Sequence, residues 1–459
     1  MNKTVLTIVA LLSLIISAYI GSGDLPDQYS LLYVLPLMSC VLYTILVGAI
    51  GNYKPNISTL LIIALTFIRY CILPLLMVLS GYQTIMAHAS LTNGNAAILL
   101  MAYEFCVITI ALVIANRKKI NAIQSSFVEE RRGLLNFFVI GCLLYCILMV
   151  IIMPDIKDVF KSVIDIGEED FTTREEVEEL EVGSMMRAMR TLFGVIFNIT
   201  RVLFPIYILQ YVIKNRYSTT LILLTICIIV ILQFMLLTST FAEAIVGTLI
   251  VLLSINKLDP QLAKKINLLA PIFSVLVVVI YFYSRYQIQT GFEVYTRNSP
   301  IEYASSIVSA YFTGIDNVSG ALNMPNERTA EYFISSLITT IPFNTTLFGP
   351  RELSFQQFFN DYNGMSGQIP ASVGDGYYYF GYVLAPIFSF LLTYFSVYLN
   401  RKAESITFLW KYVAYMFISI VLALGTAMYN EMISLSWVNC WGIPILIIAL
   451  LVSKKCSRP

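Results

Sequence analysis

Apolar runs of about 20 residues, one after another and nearly free of charge, leave this chain few folds to choose from. A helix of about 20 apolar residues crosses the hydrocarbon core of a bilayer. Only helices and closed barrels satisfy every backbone polar group there. Such runs lie near 4–20, 31–50, 59–80, 96–115, 134–154, 191–213, 218–237, 243–256, 267–284, 377–399, 406–424 and 433–452. They predict an all-α, polytopic transmembrane helix bundle of about twelve spans. Composition agrees: of 459 residues, 58% are hydrophobic and 12% are charged, against about 25% charged in soluble domains. Lys3 before the first run suggests a signal peptide, but Gly21-Ser22-Gly23 lacks an A-x-A cleavage pattern, so the run reads as an anchor.

Lysine and arginine set the orientation. With the amino terminus inside, all but eleven of the 29 basic residues fall in cytoplasmic segments or at their span ends. Those segments include Arg117-Lys118-Lys119, Lys264-Lys265, Arg401-Lys402 and Lys454-Lys455, and their only acids are Glu129, Glu130, Asp259 and Glu404. Both termini are then expected in the cytoplasm.

The organisation expected is a first block, 1–284, holding nine spans and an acidic outer loop at 155–190. A large extracytoplasmic loop, 285–376, follows, and three more spans fill 377–459. About 90 residues far exceeds an ordinary connection, so the large loop should carry structure of its own. Ser299-Pro300-Ile301-Glu302 has the serine, proline and glutamate of a helix start. A second helix is expected from about 327 to 341, ending before Pro342, followed by turn-rich stretches such as Asn360-Asp361-Tyr362-Asn363-Gly364.

The eleven basic residues that defy the inside bias are Arg69, Lys157, Lys161, Arg174, Arg187, Arg190, Arg201, Arg285, Arg297, Arg328 and Arg351. Most are arginine, whose planar fork grips carboxylate or phosphate through two parallel hydrogen bonds and keeps its charge. Their gathering on the outer side points to an anionic ligand. Arg69 and Arg201 lie inside spans, where an uncompensated charge costs about 2.5–3.5 kcal/mol or more on insertion scales. They should face a cavity or an acid, and Glu104, Glu243 and Glu431 are the acids at comparable depth. Structural pairing, for instance of Arg69 with Glu104, is the plainer reading. For Arg187 and Arg190 the plainer reading is a solvated juxtamembrane face, and for the acidic run 168–181 a solvated loop helix.

Before the tenth run stands Gly367-Gln368-Ile369-Pro370-Ala371-Ser372-Val373-Gly374-Asp375-Gly376-Tyr377-Tyr378-Tyr379-Phe380-Gly381. It resembles the proline–serine–glycine–acid–tyrosine–phenylalanine–glycine stretch that leads the large outer loop back into the membrane in Wzy-type polymerases. These bacterial enzymes polymerise oligosaccharide repeat units in O-antigen and capsule assembly. The short match covers about 15 residues, and the likeness of architecture (many spans, one dominant late outer loop, arginines around it) covers most of the chain. Many relatives carry glutamate where Asp375 stands, and a bulkier residue in place of Gly376.

The resemblance implies a glycosyltransferase acting on undecaprenyl-diphosphate-linked oligosaccharide at the outer leaflet, a membrane-lipid-bound substrate that needs no cofactor or metal. Guanidinium groups would stabilise the departing diphosphate, and a carboxylate could serve the acceptor hydroxyl. Arg285 and Arg351 are the candidates for the phosphates, with Asp375 as acceptor-positioning acid or base. Arg69 and Arg201 would line the cavity, Arg297 and Arg328 would meet sugars or helix ends, and Tyr378 would offer a sugar-stacking face. The plainer reading of Tyr377-Tyr378-Tyr379 is interfacial anchoring. His88, the sole histidine, is a weaker base candidate. The loop 155–190 is a candidate contact for a chain-length regulator.

Other functions fit parts of the sequence. Asp24-Leu25-Pro26-Asp27 is a short D-x-x-D of the kind found in other lipid-linked sugar transferases. An O-antigen ligase usually presents a histidine in its large outer loop, and 285–376 has none. A transporter or flippase of the lipid-linked unit suits the span count and the intramembrane charges, but typically shows two related halves and short loops. With a net charge of +1 there is no general attraction for nucleic acid. One histidine and no CxxC pair leave too few parts for a zinc site. The cysteines read as small hydrophobes within helices.

Overall fold

The computed structural model describes residues 3–52, 56–82, 93–117, 132–153, 184–215, 217–235, 241–264, 266, 299–348, 354–364 and 368–453. Among them every regular element is helical. Seven helices are long and apolar enough to cross a membrane, and a bent pair would make an eighth. This is the make-up of a multi-pass membrane protein. The expected span 267–284 lies outside the described residues.

In chain order the long helices begin with α1 (Lys3–Gly21) and α2 (Val34–Ile50). A third span, Ile57–Leu79, comprises α3 (Ile57–Phe67), a π-helical turn (Ile68–Ile72) and α4 (Leu73–Leu79). Next come α5 (Gly94–Arg117), α6 (Arg132–Ile152), α7 (Ser184–Lys214), α8 (Thr219–Met235) and α9 (Phe241–Leu258). The helices track the apolar runs to within a few residues, apart from α7, which starts earlier.

The packing has the polarity expected in lipid. On α1 the buried residues are Leu6, Ala10, Ser13, Ser17 and Ile20, a stripe at helical spacing with small residues in its middle. Its exposed face is Val5, Ile8, Leu11, Leu12, Ile15 and Tyr19. Small residues let α1 lie closely along α2, and Ser17 Oγ donates to the Tyr33 carbonyl at 2.9 Å. The apolar side is left for the acyl chains. On α6, Phe137 and Ile151 are more than 70% exposed, which only a hydrocarbon surrounding makes favourable.

Both π-helical turns stand in front of a proline. Ile68–Ile72 precedes Pro74, and Val438–Gly442 precedes Pro444. Proline lacks the N–H that would close the regular turn, so the widened turn takes up the mismatch. In the third span this turn carries Arg69 and Tyr70, both buried in the bundle.

Between α9 and the last helices, the described part of the large loop is helical. It holds α10 (Pro300–Tyr311), α11 (Ile315–Asn323), α12 (Thr329–Thr339), α13 (Asn344–Phe348) and α14 (Phe355–Asn363). Ser299 caps α10 as expected, its Oγ accepting from the Glu302 N–H at 3.2 Å. The expected helix over 327–341 is α12, entered through Arg328 at φ 53°. Two features differ from the sequence reading. Helix α11 was not expected, and nearly all of it is buried against α5 and the Ser372–Leu384 helix. The expected turns at 360–364 are instead the end of α14, which Gly364 closes at φ 63°.

The run at 377–399 is also not one straight helix. Helix α15 (Ser372–Leu384) begins earlier and is followed by α16 (Ile387–Glu404) at a bend of 104°. Gly381 sits at φ 75° inside the break and Pro386 caps the second helix. A positive φ is cheap only for glycine, and proline cannot continue the helix before it. The chain ends with α17 (Leu409–Leu424), α18 (Glu431–Trp437) and α19 (Ile443–Val452), the last two forming one span through the second π turn. In α17 all residues but Lys411 and Tyr415 are buried. Apolar all round, it is the central post of the bundle, packed by α3, α9, α16 and α19.

Candidate functional site

The two arginines described inside the bundle, Arg69 and Arg201, are each paired with a glutamate. Arg69 Nη1 lies 3.0 Å from Glu104 Oε2, both almost wholly buried. Tyr70 donates to the same oxygen at 2.8 Å, and Ser389 Oγ donates to Glu104 Oε1 at 2.6 Å. Arg69 also reaches the Thr426 carbonyl at 3.4 Å. The ion pair therefore joins the third span to α5, with α16 and the turn after α17 attached. Arg201 on α7 meets Glu243 on α9 at 2.6 Å, and its guanidinium lies over the Trp441 ring at 4.8 Å. Desolvating such charges is costly, and the geometry offsets the cost through mutual attraction and added hydrogen bonds. The pairing with Glu104, the plainer of the two sequence readings for Arg69, is present.

Asp375 stands elsewhere, on the first turns of α15, with its side chain fully buried. The glycines on either side explain how a carboxyl group is driven so deep. A Cβ on Gly374 would come within 2.7 Å of Ala321 Cβ, and one on Gly376 within 2.0 Å of the Ala385 carbonyl. Only hydrogen fits at those two places. The Gly-Asp-Gly run thus lets α15 press against α11 on one side and against its own fold-back on the other.

The partner of Asp375 comes from 55 residues further along the chain. Asn430 caps α18, its Oδ1 accepting from the Ile433 N–H at 3.0 Å. That fixes the amide, so Nδ2 faces Asp375 and donates to Oδ2 at 3.1 Å. Next to Asn430 is Glu431, fully buried, its carboxyl beside Asp375 and Ser372. Ser372 Oγ donates to the Gly425 carbonyl at 3.3 Å. Asp375 Oδ1 and both Glu431 oxygens have no hydrogen-bond donor among the described residues.

Asp375 and Asn430 form part of the wall of a pocket of about 190 Å³. Its other sides are Ser336 and Thr339 of α12, Ser354, Phe355 and Gln356 at the start of α14, and Met432, Ile433 and Ser436 of α18. Loop helices thus make one half of the pocket and the start of the last span the other. The lining is rich in hydroxyls and amides, with one aromatic ring and one carboxyl group.

No protein-family model, curated protein or solved structure matches this chain. The site therefore has to be judged from its own chemistry.

Of the described residues singled out from sequence, Asp375 alone lines this pocket. Arg69 and Arg201 sit in their glutamate pairs. Arg328 is exposed and ion-paired with Glu331 at 2.6 Å. Tyr378 is buried, its ring 4.6 Å from Phe355 and its hydroxyl donating to the Glu327 carbonyl. It packs the loop onto α15 rather than offering a free face. Arg285, Arg297, Arg351 and His88 lie outside the described residues, as does all of the acidic loop before residue 184. The serines, Thr339, Gln356 and Asn430 were missed. A signal existed for two of them: Ser354 and Asn430 each stand directly before a helix as a capping residue.

Proposed function

We propose that this protein is a membrane glycosyltransferase that polymerises oligosaccharide repeat units carried on undecaprenyl diphosphate. It would act at the outer leaflet of a bacterial inner membrane, during synthesis of a surface polysaccharide of the O-antigen or capsule kind. The observation that carries the proposal is the pocket containing Asp375. A recess of hydroxyls and amides beside an aromatic ring suits a sugar, which offers many donors and acceptors and a weakly apolar face. It lies where folded loop helices meet the ends of spans, at the level a lipid-linked glycan would reach.

In this reading the acceptor sugar enters the pocket and the growing chain arrives on its lipid diphosphate. The acceptor hydroxyl oxygen forms the new bond to the donor's anomeric carbon. The bond from that carbon to the diphosphate oxygen breaks, and undecaprenyl diphosphate leaves with the electron pair. The hydroxyl proton passes to a base, the role proposed for Asp375. Arg285 and Arg351 remain the proposed diphosphate ligands, because preorganised guanidinium groups stabilise charge that develops on a leaving group. Arg69 and Arg201, already neutralised by glutamates, better suit holding the bundle in shape than meeting phosphate. Twelve spans with both termini cytoplasmic belong to the same proposal.

Deletion of the gene tests it. A polymerase predicts surface glycan that stops at one repeat unit, read as a collapsed ladder on a gel. Loss of all surface glycan, with lipid-linked units trapped inside, would instead indicate a flippase. Arg285→Lys probes the phosphate end, since it keeps the charge and loses the fork. Chain length should fall sharply at unchanged protein abundance, and an unaltered ladder would remove Arg285 from the site.

A further inference from the structure

The pocket has a chemical bias that the polymerase reading does not by itself supply. Asp375 stands in its wall, and Glu431, outside the lining, adjoins Asp375 from behind; both carboxyls are fully buried. The sole donor to Asp375 among the described residues is the Asn430 amide. Three of the four carboxyl oxygens have no protein donor there. A buried acceptor left without a donor is costly, about 1–3 kcal/mol and more for a charged one. Two adjacent carboxyls repel as well unless a proton or a ligand's donor comes between them.

The surroundings add no counter-charge. Ser372 and Asn430 are neutral, and Glu104, the nearest further acid to Glu431, is already engaged by Arg69, Tyr70 and Ser389. On the opposite side Ser336 shares a hydrogen bond with the Tyr379 hydroxyl at 3.2 Å. What Asp375 Oδ1 lacks is a hydrogen-bond donor. Sugar hydroxyls and an ammonium group supply donors, whereas a carboxylate only accepts.

We propose that the pocket is a subsite for one non-acidic sugar residue, neutral or amino-bearing, and that Asp375 backed by Glu431 excludes uronic acids and other acidic sugars from it. Binding gives the orphaned Asp375 Oδ1 a donor from a sugar hydroxyl or ammonium group. An acidic sugar would place a third carboxyl group, rich in acceptors and without a donor when ionised, against the pair, and a desolvated acceptor facing acceptors discriminates strongly. Glu431 touches no sugar in this arrangement; it is a positioning residue that sets the charge behind Asp375. The inference rests on the polymerase reading only for the statement that this sugar belongs to the acceptor.

The test uses the full chain in detergent and saturation-transfer NMR with matched methyl glycosides. The gluco and galacto forms of the neutral sugar, the 2-amino sugar and the uronide serve as probes. Neutral and amino glycosides should bind, and the uronides should bind at least about tenfold more weakly. In Asp375→Asn and in Glu431→Gln that ratio should shrink to about threefold or less. Ser436→Phe, which fills the pocket from α18, should abolish binding of every glycoside without lowering the unfolding temperature. This holds the test open even if the carboxyl variants fail to fold. Uronides binding as well as neutral sugars, an unchanged ratio in both carboxyl variants, or binding that survives Ser436→Phe would each overturn the proposal. So would an absence of binding by any glycoside. If the deletion strain keeps a full ladder while the purified protein shows the expected preference, the subsite stands and the polymerase reading falls. A collapsed ladder together with no discrimination gives the converse.

Discussion

Asn430 carries two duties that substitution can separate. Its Oδ1 caps α18 and its Nδ2 holds Asp375. Serine is also a strong cap but brings no amide to the carboxyl, so Asn430→Ser should keep the cap and lose only the donor to Asp375, a cost of about 1–3 kcal/mol. Asn430→Ala should lose the cap as well, at a cost of about 0.5–2 kcal/mol. Both should shorten the glycan made in cells, which a ladder gel reports. Long chains from Asn430→Ser would show that the amide does not orient a working Asp375. The buried pair Arg69–Glu104 gives a second prediction at this scale. Glu104→Ala strands a guanidinium group and removes the acceptor for Tyr70 and Ser389. Breaking one side of such a pair costs about 3–5 kcal/mol. The double variant Arg69→Met with Glu104→Leu should recover much of the lost thermal stability in detergent. A double variant as unstable as the single one would mean the charges do more than balance each other. The two intramembrane arginines were legible as charges in need of partners, because hydrocarbon makes an unpaired charge too costly. Asp375 was legible only through the short stretch that resembles a polymerase motif. The link from Asp375 to Asn430 was not legible, since nothing local records a contact across 55 residues.

Elements were read from the sequence wherever hydropathy alone decides them, and misread where backbone geometry does. The runs behind α1, α5, α6 and the last span predicted helices of nearly the observed length, because the bilayer imposes it. The tenth run looked equally continuous, yet Gly381 and Pro386 fold it back through 104°. The signs were two single residues inside an aromatic, apolar stretch, and hydropathy does not weigh them. Likewise the polar residues at 360–364 suggested turns because asparagine and glycine favour them, when they end a helix through the same preference for a left-handed residue. The break makes a prediction that ranks two glycines. At Gly381 a methyl group would meet nothing within 4 Å, so Gly381→Ala faces only the backbone cost of φ 75° with ψ −178°, a region nearly confined to glycine, about 1–3 kcal/mol. At Gly376 a methyl group would be driven into the Ala385 carbonyl, and α15 would have to lift away from the fold-back. Gly376→Ala should therefore lower the unfolding temperature further than Gly381→Ala. The reverse order would mean that the fold-back yields more easily than the close approach implies.

At the scale of the whole molecule, the pocket and the carboxyl end of the chain are held apart by a single crossing. Asn430 and Glu431 lie at the pocket end of the last span, which runs Glu431–Val452 and is followed directly by Lys454-Lys455. Basic residues collect on the cytoplasmic side, so the proposed topology, with those lysines inside, puts the pocket on the opposite face. In that topology the loop helices α12 and α14, which form its other half, lie on that face too. An enzyme using a lipid-linked glycan already moved to the outer leaflet requires this arrangement; one acting before that movement would need the reverse. Reporter fusions separate the two. Green fluorescent protein, which fluoresces only when folded in the cytoplasm, should light up when joined after residue 453. Alkaline phosphatase, active only outside, should be inactive there and active when joined after residue 341, beyond α12. The opposite pattern would turn the pocket toward the cytoplasm, and an outer-leaflet polymerase could then not use it, however well the pocket bound sugar. The topology experiment therefore bears on function more directly than on fold. The helices would be unchanged by either result, but only one of them lets the Asp375 pocket meet its proposed substrate.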